Sequence, residues 1–343
     1  MRHLRARNFP APIRMSQSPF SPIRALRRVL VAALRRRRGR SRTRSHAFNY
    51  ERVLGTSFEL QVVAATLDVA KHAEAAALAE VDRLEGILSG YSATSELSRW
   101  LETHGAEVPV SAELADVLEA GEDWRIWTDG AFNPAAVSLA EMLNAADVTP
   151  LAHRLHDVNQ PLWWVDRSLG NACRLTRLPI SLDALAKGYI VDRVASVVAD
   201  VDGITQVLVN IGGDLRHHGE HALVVGVTDP RAPAENAPHI AAVRLVGEAL
   251  ATSGGYRRAL VMEGRTVSHI LDPRTGQPAD RVISASVIAP DCATADALST
   301  AFSVLTPADS VALADSLAGI GCMIVDRDGT ITSNAAWRTH SAH

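Results

Sequence analysis

The sequence predicts an α+β domain, and three observations carry that prediction. Stretches with helical periodicity are separated by runs of consecutive strand-like segments, which argues against an alternating parallel sheet. The chain has 343 residues, 47% of them apolar, enough for the core of one large domain or two small ones. No repeat of solenoid length and no low-complexity linker interrupts the body. The expected organisation is one domain over 49–337, built from mixed or antiparallel sheets with packed helices, behind a basic, disordered tail over 1–48.

Charge sets the tail apart. Residues 1–45 carry fourteen Arg and no acid, which leaves 21 basic against 38 acidic residues, a net of −17, for the remainder. The tail's longest apolar run, "VLVAAL", is too short for a signal peptide or for a membrane span of roughly 20 residues. No Cys follows it as a lipid attachment site. Beside the disordered reading stands a second, a basic amphipathic segment in peripheral contact with an anionic membrane. So acidic a body argues against nucleic acid as a partner. An anionic ligand would need local help, from a metal or from backbone N–H groups. Cys173, Cys292 and Cys322 have neither finger nor CxxC spacing, and their odd number argues against a disulfide framework.

The body's elements follow in order. "ERVLGTSFELQVVA" (51–64) alternates in its second half as a strand does. "DVAKHAEAAALAEVDRLEGILSG" (68–90) has helical periodicity and ends in Gly. "YSATSELSRW" (91–100) reads as a loop. "SAELADVLEAGEDWRIWTDGAFNP" (111–134) opens with Ser and an acidic first turn, a capped helix that runs into a polar turn at Gly130. "LWWVD" and "CRLTRL" are strand-like, and "LDALAKGYIVDRVASVVADV" (182–201) reads as a helix. Strands then dominate: "TQVLVNIGGDLRHHG", "ALVVGVTDP", "AAVRLVGEALATSGG", "RALVMEGRTVSHILDP" and "VISASVIAP". A helix over 291–305, another at "DSVALADSLAG" and a hairpin at "CMIVDRDGTITS" close the body.

Several constellations could carry chemistry. In "DCATADALSTAF", Asp296 precedes Thr300 by one helical turn, so both share a face. A hard cation such as Mg²⁺ takes such carboxylate and hydroxyl oxygens; the alternative is an ordinary exposed pair. Lys187, one of only two Lys against 33 Arg, stands beside Gly188 early in a helix, with Asp183 and Asp192 near. It could hold a phosphate or a ring carbonyl, or pair with an acid on the surface. His269 lies in an apolar strand ahead of the Asp272 turn and Arg274, a candidate for proton transfer; the alternative is a satisfied core histidine. The Gly212–Gly213 pair and the hydroxyl pair Thr252–Ser253 each follow a strand, where backbone can approach a ligand or simply turn. "HRLH" (153–156) reads as surface.

Taken together and in order, eight segments resemble one family, the FAD:protein FMN transferases or ApbE flavinyltransferases. They are "LGTSFEL", "YSATSELSRW", "TDGAFNP", "LDALAKGYIVDRV", "LVNIGGDLRHHG", "ATSGGYRRA", "SHILDPRTGQP" and "ADALSTAF", spanning about 52–335. The resemblance implies Mg²⁺-dependent cleavage of the FAD pyrophosphate. FMN would pass through a phosphoester to a Ser or Thr of an acceptor flavoprotein, and AMP would leave. By the same resemblance Asp296 and Thr300 are side-chain Mg²⁺ ligands, with the carbonyls of Ala184 and Ala293 completing the shell. Leu54, Tyr91, the Ala131–Phe132–Asn133 turn and Lys187 are expected FAD contacts, with Ile270 near the flavin. His269 is the expected base, acting beside Asp296. Three sites depart from the family pattern. Leu54 stands where Met is usual, and Asn133 where Asp is usual. Ser181 takes an Asp position, with Asp183 two residues on as its candidate replacement. Two other readings remain open, an FAD pyrophosphatase giving FMN and AMP and a flavin-binding protein without chemistry. Many members of the family are exported and work on the outer face of the inner membrane; with no signal or lipobox in view, the compartment stays open.

Overall fold

A computed structural model describes residues 43–144, 150–232, 238–254, 259–262, 265–268 and 271–342. Its centre is an eight-stranded sheet in the order β1-β2-β6-β7-β10-β13-β14-β15, antiparallel at every pairing. The strands are β1 (Arg44–Val53), β2 (Thr56–Ala64), β6 (Ile204–Ile211), β7 (Asp214–His218), β10 (Ala249–Ser253), β13 (Val282–Ala289), β14 (Gly321–Asp326) and β15 (Ile331–Ser333). The strand β1 starts at Arg44, so the expected tail boundary at 48 falls inside it. His46, Phe48 and Tyr50 alternate inward there with exposed neighbours, a period of two that the Arg-rich composition upstream obscured.

The sheet is covered on both faces, which explains why its middle strands read as unbroken apolar runs. On one face lie α1 (Leu67–Leu88), α6 (Asp183–Ala199) and α7 (Cys292–Phe302). Val207, Val209, Ile211, Ala249, Ala251 and Val287 point to them, in one core with Leu84, Val191, Val194 and Phe302. Residues of opposite parity, Leu208, Leu215, Leu250, Ile288 and Met323, point the other way. They meet Val227, Val243 and Leu245 of the hairpin β8 (Leu223–Thr228) and β9 (His239–Leu245), with Trp337 of α9 (Ala335–His340). That helix extends past the expected domain end at 337. The small α1 residues Ala70, Ala73 and Ala77 are buried and let the helix lie close on the sheet.

Several helix starts follow their side-chain caps. Ser111 accepts the Leu114 N–H at 3.2 Å ahead of α3 (Ala112–Trp127), and Thr306 accepts that of Asp309 ahead of α8 (Pro307–Ser316). The same device overturns the loop expected over 91–100. Ser95 accepts the Ser98 N–H at 3.0 Å and starts α2 (Glu96–Leu101), which buries Leu97 and Trp100. The capped helix in 111–134 ends at Trp127, just ahead of the turn expected at Gly130, where Asp129 and Gly130 take φ of +51° and +79°. Beyond it come α4 (Val137–Asn144) and α5 (Leu151–Val158). His153 and His156 of α5 are exposed, as the surface reading of "HRLH" expected. A three-stranded sheet, β3 (Glu107–Pro109), β5 (Asn171–Arg174) and β4 (Trp163–Asp166), sits beside α3, and β11 (Ala259–Met262) pairs with β12 (Arg265–Ser268). No described helix is long and apolar enough to cross a membrane. All three cysteines are free and buried.

Candidate active site

The site is the seam between α6 and α7. Gly188 sets their distance. A Cβ added there would stand 2.4 Å from the Cys292 carbonyl oxygen and 2.8 Å from the Ala293 Cα, so the two helices touch backbone to backbone. The Gly188 N–H donates to the Asp296 carboxylate at 3.2 Å. One turn along α6, the Asp192 carboxylate accepts the Cys292 N–H at 2.8 Å and the Ala293 N–H at 2.9 Å. The helices therefore run in opposite senses, Asp192 level with Cys292 and Gly188 with Asp296. Helical spacing puts Ala184 one turn before Gly188 and Thr300 one turn beyond Asp296.

α7 is buried on nearly every side, and Asp296 within it is 2% exposed. The exposed-pair reading of Asp296 and Thr300 thus gives way to a carboxylate inside the protein. Burial and the nearby Asp214 carboxylate push its pKa well above the usual range, against the pull of Lys187 and the Gly188 N–H. Lys187, on α6, forms an ion pair with buried Asp214 on β7. Burial works against the charge of Lys187, but Asp296 and Asp214 outweigh it and raise its pKa. The expected surface pairing of Lys187 is thus a half-buried one. Asp214 was not foreseen; its signal was the acid directly after Gly212–Gly213.

Hydroxyls extend the seam toward the sheet. Ser253 Oγ, on β10, lies 2.9 Å from Ser299 Oγ and 3.3 Å from Thr300 Oγ1. Strand alternation divides the predicted pair Thr252–Ser253: Thr252 turns to the opposite face and bonds Ser286 at 2.9 Å. Among the described residues no three His, Cys, Asp or Glu side chains converge to hold a metal ion. The donors present here are the Asp296 and Asp214 carboxylates, hydroxyls and helix carbonyls. These are hard oxygens, and they fit a hard cation better than a transition metal.

Two turns stand at one end of the sheet. Leu54 and Gly55 join β1 to β2 with φ of +50° and +75°. Gly212 and Gly213 join β6 to β7, and a Cβ on Gly212 would meet the Thr56 side chain at 2.8 Å. A left-handed Leu costs about 1–2 kcal/mol, and such strain gathers at functional positions. Tyr91, 84% exposed, donates from its hydroxyl to Asp183 at 2.7 Å, and Asp183 stands one turn before Lys187. Ser181 acts locally: its Oγ accepts the Asp183 N–H at 3.2 Å, and its own N–H donates to the Pro134 carbonyl.

The 131–133 turn behaves differently from the expected ligand contact. Ala131 and Phe132 are each 2% exposed and belong to the core. Asn133 is spent internally, its Nδ2 donating to the Val158 carbonyl and its Oδ1 accepting the Ala135 N–H, both at 2.9 Å. A ligand contact here would have to use backbone. The turn's Gly130 does face the Asp272–Arg274 ion pair, with a Cβ position 3.6 Å from Arg274 Cγ. His269 and Ile270 lie outside the described residues. The structure thus gathers Lys187, Asp296, Thr300, Ala184 and Ala293 along one seam, with Asp183 and Tyr91 at its α6 end.

Known proteins share this arrangement of elements. The chain is 29% identical over 276 residues to the FAD:protein FMN transferase of Salmonella typhimurium, covering 74% of this chain and 77% of that protein. It is 29% identical over 328 residues to the protein of the same name from Treponema pallidum, covering 87% and 89%. The ApbE protein of Thermotoga maritima has a similar structure, with a TM-score of 0.76 at 27% identity over 88% of this chain and 100% of that one. The apo flavinyl transferase ApbE of Pseudomonas stutzeri gives a TM-score of 0.72 at 25% identity, covering 87% and 97%. The model of the ApbE family matches residues 54–324, a span that runs from the strained Leu54 turn through both helices of the seam, and the chain belongs to the ApbE family.

Proposed function

We propose that this chain transfers FMN from FAD to a Ser or Thr hydroxyl of an acceptor flavoprotein, through a phosphoester, in a Mg²⁺-dependent reaction that releases AMP. Its class, FAD:protein FMN transferase, is the one its relatives carry by name. The observation that carries the reading is the buried Asp296 carboxylate, one turn from Thr300 and in the electrostatic reach of Lys187. A net-acidic body needs such a place if it is to receive a pyrophosphate.

In this reading the acceptor oxygen attacks the FMN phosphorus and the P–O bond to the AMP half breaks, the bridging oxygen leaving with AMP. His269 takes the hydroxyl proton. Asp296, Thr300 and the carbonyls of Ala184 and Ala293 would hold Mg²⁺, which when bound neutralises charge on the pyrophosphate. Lys187, held in place by Asp214, adds a fixed positive charge beside the phosphates. Leu54, presented by its strained turn, and exposed Tyr91 offer apolar surface to the isoalloxazine ring. Asp183 holds the Tyr91 hydroxyl and so stands in at the position where Ser181 has lost the usual carboxylate.

The test is mass spectrometry of the purified chain with FAD, Mg²⁺ and a flavoprotein fragment bearing a Ser/Thr acceptor, with and without chelator. The expected result is a chelator-sensitive mass gain on the fragment equal to one FMN, with AMP released. Free FMN and AMP with an unmodified fragment would replace the transferase by a pyrophosphatase. Intact FAD throughout would leave only flavin binding.

A further inference from the structure

Strand β7 and helix α6 meet through two ion pairs of opposite sense. Asp214 and Arg216 stand two residues apart and therefore face the helix together. Asp214 takes Lys187 of α6. Arg216 takes Asp192 of the same helix, Nε to Oδ1 at 3.6 Å, and also donates to the Pro290 carbonyl just before α7. The first pair belongs to the site already described. The second supplies no ligand itself but bonds the backbone N–H of Ala293, whose carbonyl is one of the expected ligands.

Asp192 is nevertheless placed where it controls the site. Its two carboxylate oxygens take the first free N–H groups of α7, those of Cys292 and Ala293. Capping does not require it, because Asp291 already caps α7 by accepting the Thr294 N–H at 2.8 Å. A second carboxylate, brought from another helix and only 14% exposed, is costly unless paired. What it adds is a tie between helices. Gly188 brings α6 and α7 into backbone contact but cannot stop one sliding along the other. Asp192 can, since its two oxygens grip two successive amides of α7, and Arg216 anchors the grip to the sheet.

We infer that Asp192, braced by Arg216, is a positioning residue for flavin transfer: it fixes the axial setting of α7 on α6 and so aligns the Ala293 carbonyl and the Asp296 carboxylate in the seam. The inference rests on the proposed function only for what the aligned oxygens do. Groups that orient ligands in this way are worth on the order of 10–100-fold in metal affinity or activity.

The test compares Asp192→Asn and Arg216→Gln with the wild type and with Tyr189→Phe. That control removes a different α6 hydrogen bond, from Tyr189 to Asp116 at 3.0 Å. Three quantities are read: Mn²⁺ affinity by direct titration, amide exchange at Cys292 and Ala293, and AMP release against Mg²⁺ concentration. Asp192→Asn is expected to speed exchange at both amides and to weaken Mn²⁺ binding about tenfold or more. The Mg²⁺ needed for half-maximal AMP release should rise in step. Tyr189→Phe should lower the melting temperature and leave the metal dependence alone. If Asp192→Asn does not fold, Arg216→Gln is judged by the same criteria. Wild-type metal affinity in the Asp192 or Arg216 variant, or a loss no greater than in Tyr189→Phe at equal melting temperature, would overturn the inference. A wild type that binds Mn²⁺ but never cleaves FAD would sink the proposed function and leave the positioning role standing.

Discussion

Gly188→Ala puts the helix seam to its sharpest test. The added methyl would lie 2.4 Å from the Cys292 carbonyl oxygen, 2.7 Å from its carbon and 2.8 Å from the Ala293 Cα. All three are backbone atoms, so no rotamer change relieves the clash. Restoring ordinary contact at about 3.5 Å requires the helices to part by about 1 Å. Overpacking of this kind costs about 1–3 kcal/mol, occasionally more. Against it, Ala is favoured over Gly inside a helix by about 1 kcal/mol. The net expectation is a loss of up to about 2 kcal/mol, which in a domain of this size lowers the melting temperature by up to about 8 °C. Activity should suffer more than stability. The Gly188 N–H leaves Asp296, and a misplacement of about 1 Å can cost on the order of 100-fold. Differential scanning fluorimetry and AMP release measure the two effects on one preparation. A variant as stable as the wild type and fully active would refute the claim that backbone contact at Gly188 sets the seam.

Asp296 gives a pH-dependent result. Its folded pKa is raised, so the stability it contributes is present when it is protonated and is lost as pH rises through the folded value. In chelator, Asp296→Asn is therefore expected to melt above the wild type near pH 9, with the gap closing toward about pH 5, and to transfer no FMN at either pH; a lower melting point at both would refute the buried-anion account. Lys187→Met removes the cation between two carboxylates and should cost about 3–5 kcal/mol. In Lys187→Met/Asp214→Asn the loss should be smaller than the sum of the single losses, which denaturant unfolding can decide. Leu54→Asn relaxes the left-handed turn and should raise stability by a few tenths of a kcal/mol to about 1 kcal/mol while raising KM for FAD, and an unchanged KM would remove Leu54 from the flavin surface.

Much of this protein could be read along the chain, because the relevant interactions are local. A cap and the amide it serves are three residues apart, as at Ser111–Leu114 and Asp291–Thr294, so helix starts follow from short strings. The shared face of Asp296 and Thr300 follows from helical pitch. Where local signals were misread, composition hid them: Arg-rich sequence masked the start of β1 at Arg44, and polar "SATSEL" masked the Ser95 cap of α2. Alternation could be seen in β10 but not which face met the helices, so Thr252 and Ser253 were grouped although they point apart.

The interior of the site was beyond that reach. Asp192 and Cys292 are 100 residues apart, and Gly188 and Asp296 are 108 apart; nothing in either neighbourhood encodes the other. Whether Asp296 was an exposed polar residue or a buried anion depended on what covered α7, which is the sum of α6, β10 and β13 packing around it. The partner of Lys187 was Asp214 rather than a surface acid for the same reason. Helical and strand periods fix which residues share a face, since they arise from backbone geometry within a few residues. Which faces meet, and at what register, is set by the packing of elements distant in sequence, and only there do the carboxylates, the lysine and the hydroxyls become one site.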